Sequence, residues 1–238
     1  MKSTFYLFFL LLPIIGFSQN KPSRFHIDGV LGLNIGAPIP DDVRNSPEGT
    51  TGAPGAKLAV GAISELVLTK KLSFSSGLLL SIKGAKFSGP MDGKFNIAKE
   101  ILGDNFPIEI NVDIEGEMEG EFSNTYLDIP LFISYQANRK WQFSAGYQYA
   151  RLQRAQFNGT ADIKVFFINL KNQEWDESEL IAMNEHALLA GMKYNISKRI
   201  SANLQMNYAM TKLFAEESDD FPNPRNIYMK LMVGYRLL

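Results

Sequence analysis

The sequence contains no cysteine. That removes disulfides, thiolate metal sites and thiol nucleophiles, along with the lipid-bearing cysteine of a lipoprotein. Charge of either sign is not in excess: the formal net charge is −1 over 238 residues. No basic surplus points to nucleic acid, and none is expected as a partner. Histidine occurs twice, which leaves little for general acid–base or imidazole–metal chemistry. Phosphate-cradling glycine loops and spaced metal-ligand motifs are absent, so no cofactor or metal is expected. Long apolar runs are missing too. The longest is confined to residues 5–15 and falls short of the roughly 20 residues that a spanning helix needs.

What the N-terminus does contain reads as a secretory signal peptide over residues 1–18. Lys2 supplies the positive region, residues 5–15 the apolar core, and Gly16-Phe17-Ser18 the small residues before a cut at Gln19. The expected mature domain is 19–238, outside the cytoplasm.

Aromatic residues make up 12% of the chain, mostly Phe and Tyr. They fall within stretches that alternate with period two, the mark of strands with two unlike faces. The most informative stretch is 107–135. In its second half Leu127, Ile129, Leu131, Ile133 and Tyr135 oppose Tyr126, Asp128, Pro130, Phe132 and Ser134. In its first half the parity is reversed: Ile108, Ile110, Val112, Ile114, Met118 and Phe122 oppose Glu109, Asp113, Glu115, Glu117, Glu119 and Glu121. Fully extended it would reach about 95 Å. A bulge or break is therefore expected near Ser123-Asn124, separating a membrane strand from a protruding acidic hairpin, 107–124 with 155–171.

Seven further strands are read at 24–35, 57–68, 72–87, from 141, 185–196, 200–210 and 226–237. Strand character returns at 160–170, which would bring Lys164 near the acidic row. A capping-box pattern at Asp176-Glu177-Ser178-Glu179 predicts a short helix, and a helical turn is expected within 96–102. Short turns follow the second, fourth and sixth strands, and long loops follow the first, third, fifth and seventh. The expected fold is all-β, an eight-stranded antiparallel up-and-down transmembrane barrel of the outer-membrane type. Its turns would be periplasmic and its loops extracellular. Phe25, Trp141, Tyr147, Tyr194, Tyr208 and Tyr235 would supply aromatic girdles.

The opposite rows place Asp28, Lys57, Glu65, Lys83, Asp128, Lys193, Lys230 and Arg236 inside. Buried charges must pair, so these eight are read as an interior plug of ion pairs, with a narrow conduction path as the alternative. A soluble lipid-binding barrel with its apolar rows inward is the rival fold. The acidic ladder Glu109, Asp113, Glu115, Glu117, Glu119 and Glu121 reads as an interaction surface. Its same-face rungs are about 6.6 Å apart, whereas calcium sits about 2.4 Å from its ligands, so a solvated face suits it better than a cation site. Among possible enzymatic groups, Glu185-His186 is the one adjacent acid–histidine pair, and His26 is expected to point inward near Asp28.

The segments 126–135 (YLDIPLFISY), 72–89 (LSFSSGLLLSIKGAKFSG), 185–196 (EHALLAGMKYNI) and 233–238 (VGYRLL) together resemble the PorT-like, or porin-family, outer-membrane beta-barrel proteins. The chain departs from them in its long acidic ribbon and in ending on Leu238 rather than Phe. The resemblance implies an outer-membrane barrel in contact with lipid, with a surface or secretion-system protein as partner. The expected role is non-enzymatic, either structural or in surface interaction and support of secretion. A narrow channel, or a lipid-modifying outer-membrane enzyme, stands as the alternative.

Overall fold

The computed structural model describes residues 24–39, 51–90, 93–96, 111–165, 168–215 and 223–238. The expected signal peptide, residues 97–102 of the expected helical turn and Glu109 lie outside them, while Asn96 is in a strand. The alternating stretches form strands β1 (Phe25–Ile39), β2 (Thr51–Val67), β3 (Leu72–Pro90), β4 (Gly93–Asn96), β5 (Asn111–Gln136), β6 (Trp141–Arg154), β7 (Phe157–Val165), β8 (Ile168–Asp176), β9 (Asn184–Asn195), β10 (Ile200–Lys212) and β11 (Arg225–Arg236).

All pairings are antiparallel. Eight strands form a ring in the order β1-β2-β3-β5-β6-β9-β10-β11, closed by β11 on β1. Closure leaves those eight without a free edge. Three tight turns (residues 68–71, 137–140 and 196–199) lie at one end of the ring.

The ring is inverted relative to a water-soluble barrel. Leu31, Leu58, Leu78, Ile133, Leu188, Met206 and Val233 stand exposed on its outer wall, Ile133 at 64% and Val233 at 58%. Asn34, Asp128, Gln148 and Lys230 inside are fully buried. Apolar groups in such number do not face water, and charges are not buried without reason. The surrounding solvent must be hydrocarbon. This orientation overturns the soluble lipid-binding alternative, whose apolar rows would face inward.

Of the bulge or break expected near Ser123-Asn124, the break does not occur, and a register shift lies beside that place. β5 runs unbroken for 26 residues. Its inward row is continuous from Phe122 through Asn124, Tyr126, Asp128, Pro130 and Phe132 to Ser134, and Glu117, Glu119 and Glu121 share the outward row with Leu131 and Ile133. The parity flip in the sequence is a change of surroundings, not of backbone. Within the apolar belt the outer face is greasy and the inner face polar. Beyond it the outer face meets water and carries Glu, while the inner face packs a hydrophobic cluster. The irregularity falls on the partner side: a register shift accompanies the pairing of Thr125 with Arg154 and Tyr126 with Leu152. There β5 exchanges partner from β6 to β7, with Ser123 N–H donating to the Gln156 carbonyl at 2.9 Å and Asn124 Oδ1 accepting from Gln156 N–H at 2.9 Å.

The expected single strand at 160–170 is two, β7 and β8, paired with each other. The acidic part of β5 is thus the middle of a small sheet with β3 and β4 on one side and β7 then β8 on the other, rather than half of a two-stranded hairpin. Glu115 pairs in register with Lys164. The short helix shrinks to a single 3-10 turn, Ser178–Leu180, after β8 consumes residues to Asp176. Asp176 Oδ1 accepts from Ser178 N–H at 3.0 Å.

Candidate functional site: a layered barrel interior

Every second residue of the ring points inward, so the lumen is lined by rows whose heights are set by strand register. Two charge clusters result. Near the turn end, Lys193 Nζ lies 2.5 Å from Asp28 Oδ2 and 3.4 Å from Glu65 Oε2, and Arg236 Nε donates to Asp28 Oδ1 at 3.2 Å. Glu65 Oε1 also accepts from Ser73 Oγ (2.7 Å) and Gln142 Nε2 (2.6 Å). In the loop half, Lys83 Nζ lies 2.5 Å from Glu185 Oε1 and 3.8 Å from Asp128 Oδ1, while Lys230 is bonded to Asp128 and donates to Gln148 Oε1 at 3.0 Å. Asn226 Nδ2 completes Glu185 at 2.5 Å, and the Lys83 ammonium sits 4.3 Å from the Tyr126 ring centre.

Each cluster holds two cations and two carboxylates and is neutral. Burying isolated charges costs several kcal/mol per ion after relaxation; four-group neutrality with hydrogen-bonded neighbours is what makes these tolerable. Between the clusters lies an apolar layer of Val30, Leu79 and Met232, with Ile63 against it. Beyond the loop-half cluster, Phe122, Ile181 and Leu213 pack with Phe87, Leu152, Ala155, Phe157 and Phe214. Phe122 stacks on Phe157 at 4.2 Å and 7°, and Trp175 meets Phe157 edge-on at 4.9 Å. The interior is layered in four tiers: charge, apolar, charge, aromatic cap.

Seven of the eight residues expected inside therefore join a cluster. Lys57 does not. A register shift between Pro54 and Ala59 separates two pairings of β2, and Lys57 reaches over Gly84 to Glu121 at 2.6 Å. A Cβ at Gly84 would stand 2.8 Å from Lys57 Cε. One residue of the interior set and one of the acidic ladder thus form a single half-exposed pair.

Glu117 and Glu119 are exposed, as is Lys164. Asp113 and Glu115 lie on the same strand row. Among the described residues no group of three or more His, Asp or Glu side chains is placed to hold a metal ion.

The hydrogen bond from Lys57, aided by the nearby charge of Lys86, holds the Glu121 carboxyl below its ordinary range. A carboxylate with a depressed folded value stabilises above its unfolded value, and that contribution is lost as pH falls through the folded one. Exposure keeps its size small, under about 1 kcal/mol. Lys57→Gln is expected to move the Glu121 titration upward towards an ordinary carboxylate, read by NMR of the side-chain carbon. An unmoved titration would mean that Lys86 and solvent, not Lys57, set it.

Glu185 was not singled out as interior by sequence reading, although its place one residue before the outward row of His186, Leu188 and Ala190 implies it. The same parity separates Glu185 from His186. Glu185 pairs with Lys83 inside, while His186 is on the outer wall between Tyr147 and Tyr149, hydrogen-bonded to the Tyr147 hydroxyl. Adjacent in sequence, the two do not form an acid–histidine pair in space. His26 lines the turn-end mouth, a cavity of about 320 Å3, together with Glu65, Gln142, Lys193 and Arg236.

No curated protein matches the chain. Among solved structures, the attachment invasion locus protein Ail of Yersinia pestis aligns at 11% identity over 90% of this chain and 100% of Ail, with a TM-score of 0.41. OprG of Pseudomonas aeruginosa aligns at 11% identity over 90% and 95% of the two chains, with a TM-score of 0.36. The Neisserial surface protein A aligns at 8% identity over 91% and 99%, with a TM-score of 0.32. A profile described as "Outer membrane protein beta-barrel domain" matches residues 17–215. With that match, an apolar outer wall and a polar, charge-paired interior, the chain belongs to the outer membrane protein beta-barrel domain family, an all-β antiparallel barrel of the outer membrane.

Proposed function

We propose that the eight-stranded ring spans the outer membrane as a closed anchor and that the β3-β4-β5-β7-β8 sheet is its working surface. The turns then face the periplasm and the sheet stands outside the cell. The role is non-enzymatic: a structural or surface-interaction protein whose exposed Glu117 and Glu119 present negative charge to a basic partner, Glu121 being held by Lys57. A place beside a secretion machine, implied by the PorT-like resemblance, belongs to the same reading. The observation that carries it is the tiered lumen, in which two neutral four-charge clusters, an apolar layer and an aromatic cap follow one another along the axis.

The purified protein in planar bilayers is expected to give no single-channel steps. In intact cells, trypsin is expected to cut at exposed Lys171 and to spare Arg139 and Lys198 in the turns. Conductance steps in the native protein would replace this reading with a channel. One observation favours that alternative: Asn34 Oδ1, Gln148 Nε2, Gln205 Oε1 and Asn207 Oδ1 are buried without protein partners, so water can bridge parts of the lumen wall. Cleavage in the turns alone would reverse the assigned orientation.

A further inference from the structure

The three tight turns repeat one sequence device: a polar residue followed by two bases, Thr69-Lys70-Lys71, Asn138-Arg139-Lys140 and Ser197-Lys198-Arg199. Its geometry repeats as well. Thr69 Oγ1 accepts from Lys71 and Leu72 N–H at 3.3 and 3.0 Å, Asn138 Oδ1 from Lys140 and Trp141 N–H at 2.9 and 3.0 Å, and Ser197 Oγ from Arg199 and Ile200 N–H at 3.2 and 3.0 Å. The carbonyls of Lys71, Lys140 and Arg199 then each accept, at 2.8 Å, the N–H of Gln136, Asn195 and Arg236.

Those three donor residues, Gln136, Asn195 and Arg236, each follow a tyrosine. The first residue of the new strand pairs with it: Leu72 with Tyr135, Trp141 with Tyr194, Ile200 with Tyr235. The second base of each turn lies against that ring on the outer wall. Lys71 Nζ is 3.4 Å from the Tyr135 hydroxyl, Lys140 Nζ is 5.9 Å from the Tyr194 ring centre, and an Arg199 guanidinium nitrogen is 3.4 Å from the Tyr235 hydroxyl. Arg24 holds the fourth equivalent place. It precedes β1, and its carbonyl accepts Val67 N–H at 2.7 Å, although Leu66 stands where the others have tyrosine.

Four exposed bases therefore mark every second strand of the rim, roughly 10 Å apart at two strand spacings, at the edge of the apolar wall. The three described turns contain no acid. Of the first bases of the turns, Arg139 and Lys198 line the mouth cavity, so the two halves of the double base serve different surfaces. A base held over an aromatic at the boundary of an apolar belt is placed to meet a headgroup phosphate, with its stem along the hydrocarbon and its charge in the polar zone.

We propose that Lys71, Lys140 and Arg199, with Arg24 completing the ring, bind the phosphates of anionic glycerophospholipids in the leaflet at the turn end. The proposal rests on the reading of the ring as the membrane-spanning barrel. It makes the turn rim a headgroup collar that fixes the depth of the barrel.

The test compares two charge-matched triple variants of the full chain in nanodiscs of equimolar phosphatidylcholine and phosphatidylglycerol, with retained lipids counted by native mass spectrometry. K71Q/K140Q/R199Q is expected to lose phosphatidylglycerol retention, roughly five-fold per residue replaced at low salt. K70Q/R139Q/K198Q is expected to keep it. Heat-modifiability on a gel verifies that each variant is folded. Equal loss in both variants would reduce the effect to bulk charge and overturn the collar, as would no loss in either, or preferential retention of added lipid A. The nanodisc assay does not depend on which end faces outward, so a reversed orientation in cells and a failed collar are separate results.

Discussion

Lys230→Met lowers the stability of the folded barrel by about 3–5 kcal/mol, the cost of leaving one member of a buried pair without its partner. Methionine fills much of the lysine's volume, so packing changes little. What changes is Asp128, which is fully buried and bonded through Oδ2 to Lys230. Its other cation, Lys83, stands at 3.8 Å and already serves Glu185 at 2.5 Å. The cluster passes from neutral to one net negative charge, buried away from bulk solvent. Gln148 Oε1 loses a donor at the same time. The double variant D128N/K230M restores neutrality around the remaining Lys83–Glu185 pair and is expected to recover most of the loss. Urea unfolding in detergent, followed by the shift of the folded band on unboiled gels, measures both. A single-variant loss below about 1 kcal/mol would show the site to be hydrated, since exposed pairs cost only that much.

The architecture was legible because a membrane barrel writes its two faces in period two. Alternation located all eight ring strands, and their turn-then-loop rhythm gave the connectivity. Seven of the eight interior charges follow from parity alone. Three things did not read through. The parity flip around Ser123-Asn124 looked like a backbone event, yet β5 is continuous: alternation records which face is apolar, not which face is inside, and the two diverge where hydrocarbon gives way to water. β8 was hidden because residues 168–176 are polar, and its strand identity comes from pairing with β7 across a bulge between Ala161 and Ile163. Asn172 supplies the left-handed conformation there (φ 53°), its N–H held by Asp162 Oδ1 at 2.7 Å; asparagine accepts that conformation more readily than most residues. Lys57 left its row because a register shift in β2 lies between it and the next strand, and registers are not visible in one strand's own sequence. The double bases of the turns were plain in the sequence, but their shared relation to Tyr135, Tyr194 and Tyr235 needs the pairing of strands far apart in the chain.

Phe122→Ala separates the cap from the barrel. Phe122 lies at the height where β5 leaves β6 for β7, and it is the inward residue that joins both sides of the cap. Its ring stacks on Phe157 at 4.2 Å, meets Phe87 at 5.3 Å and Phe214 at 6.4 Å, and packs with Ile181 and Leu213. Removing a buried phenylalanine ring typically costs about 3–5 kcal/mol. The remaining ring contacts of the cap, Phe87 with Phe157 and Phe157 with Trp175 among them, do not include β5. Below it, the ring strands keep every pairing and both charge clusters, none of which involves the Phe122 side chain. The expected result is local: tryptic cleavage at Arg154, Lys164 and Lys171 quickens by at least ten-fold in the variant, about the population change that 1.4 kcal/mol produces in a locally opening unit, while the heat-modifiable band persists. The milder Phe157→Leu, which loses the stacked ring but keeps an apolar side chain, is expected to fall between. Unchanged cleavage in both variants would show that the cap is held by backbone pairing of β5 with β7 and β8 instead. Loss of the folded band in both would show that cap and barrel unfold as one unit, and the surface sheet would then be part of what keeps the lumen shut rather than a platform carried above it.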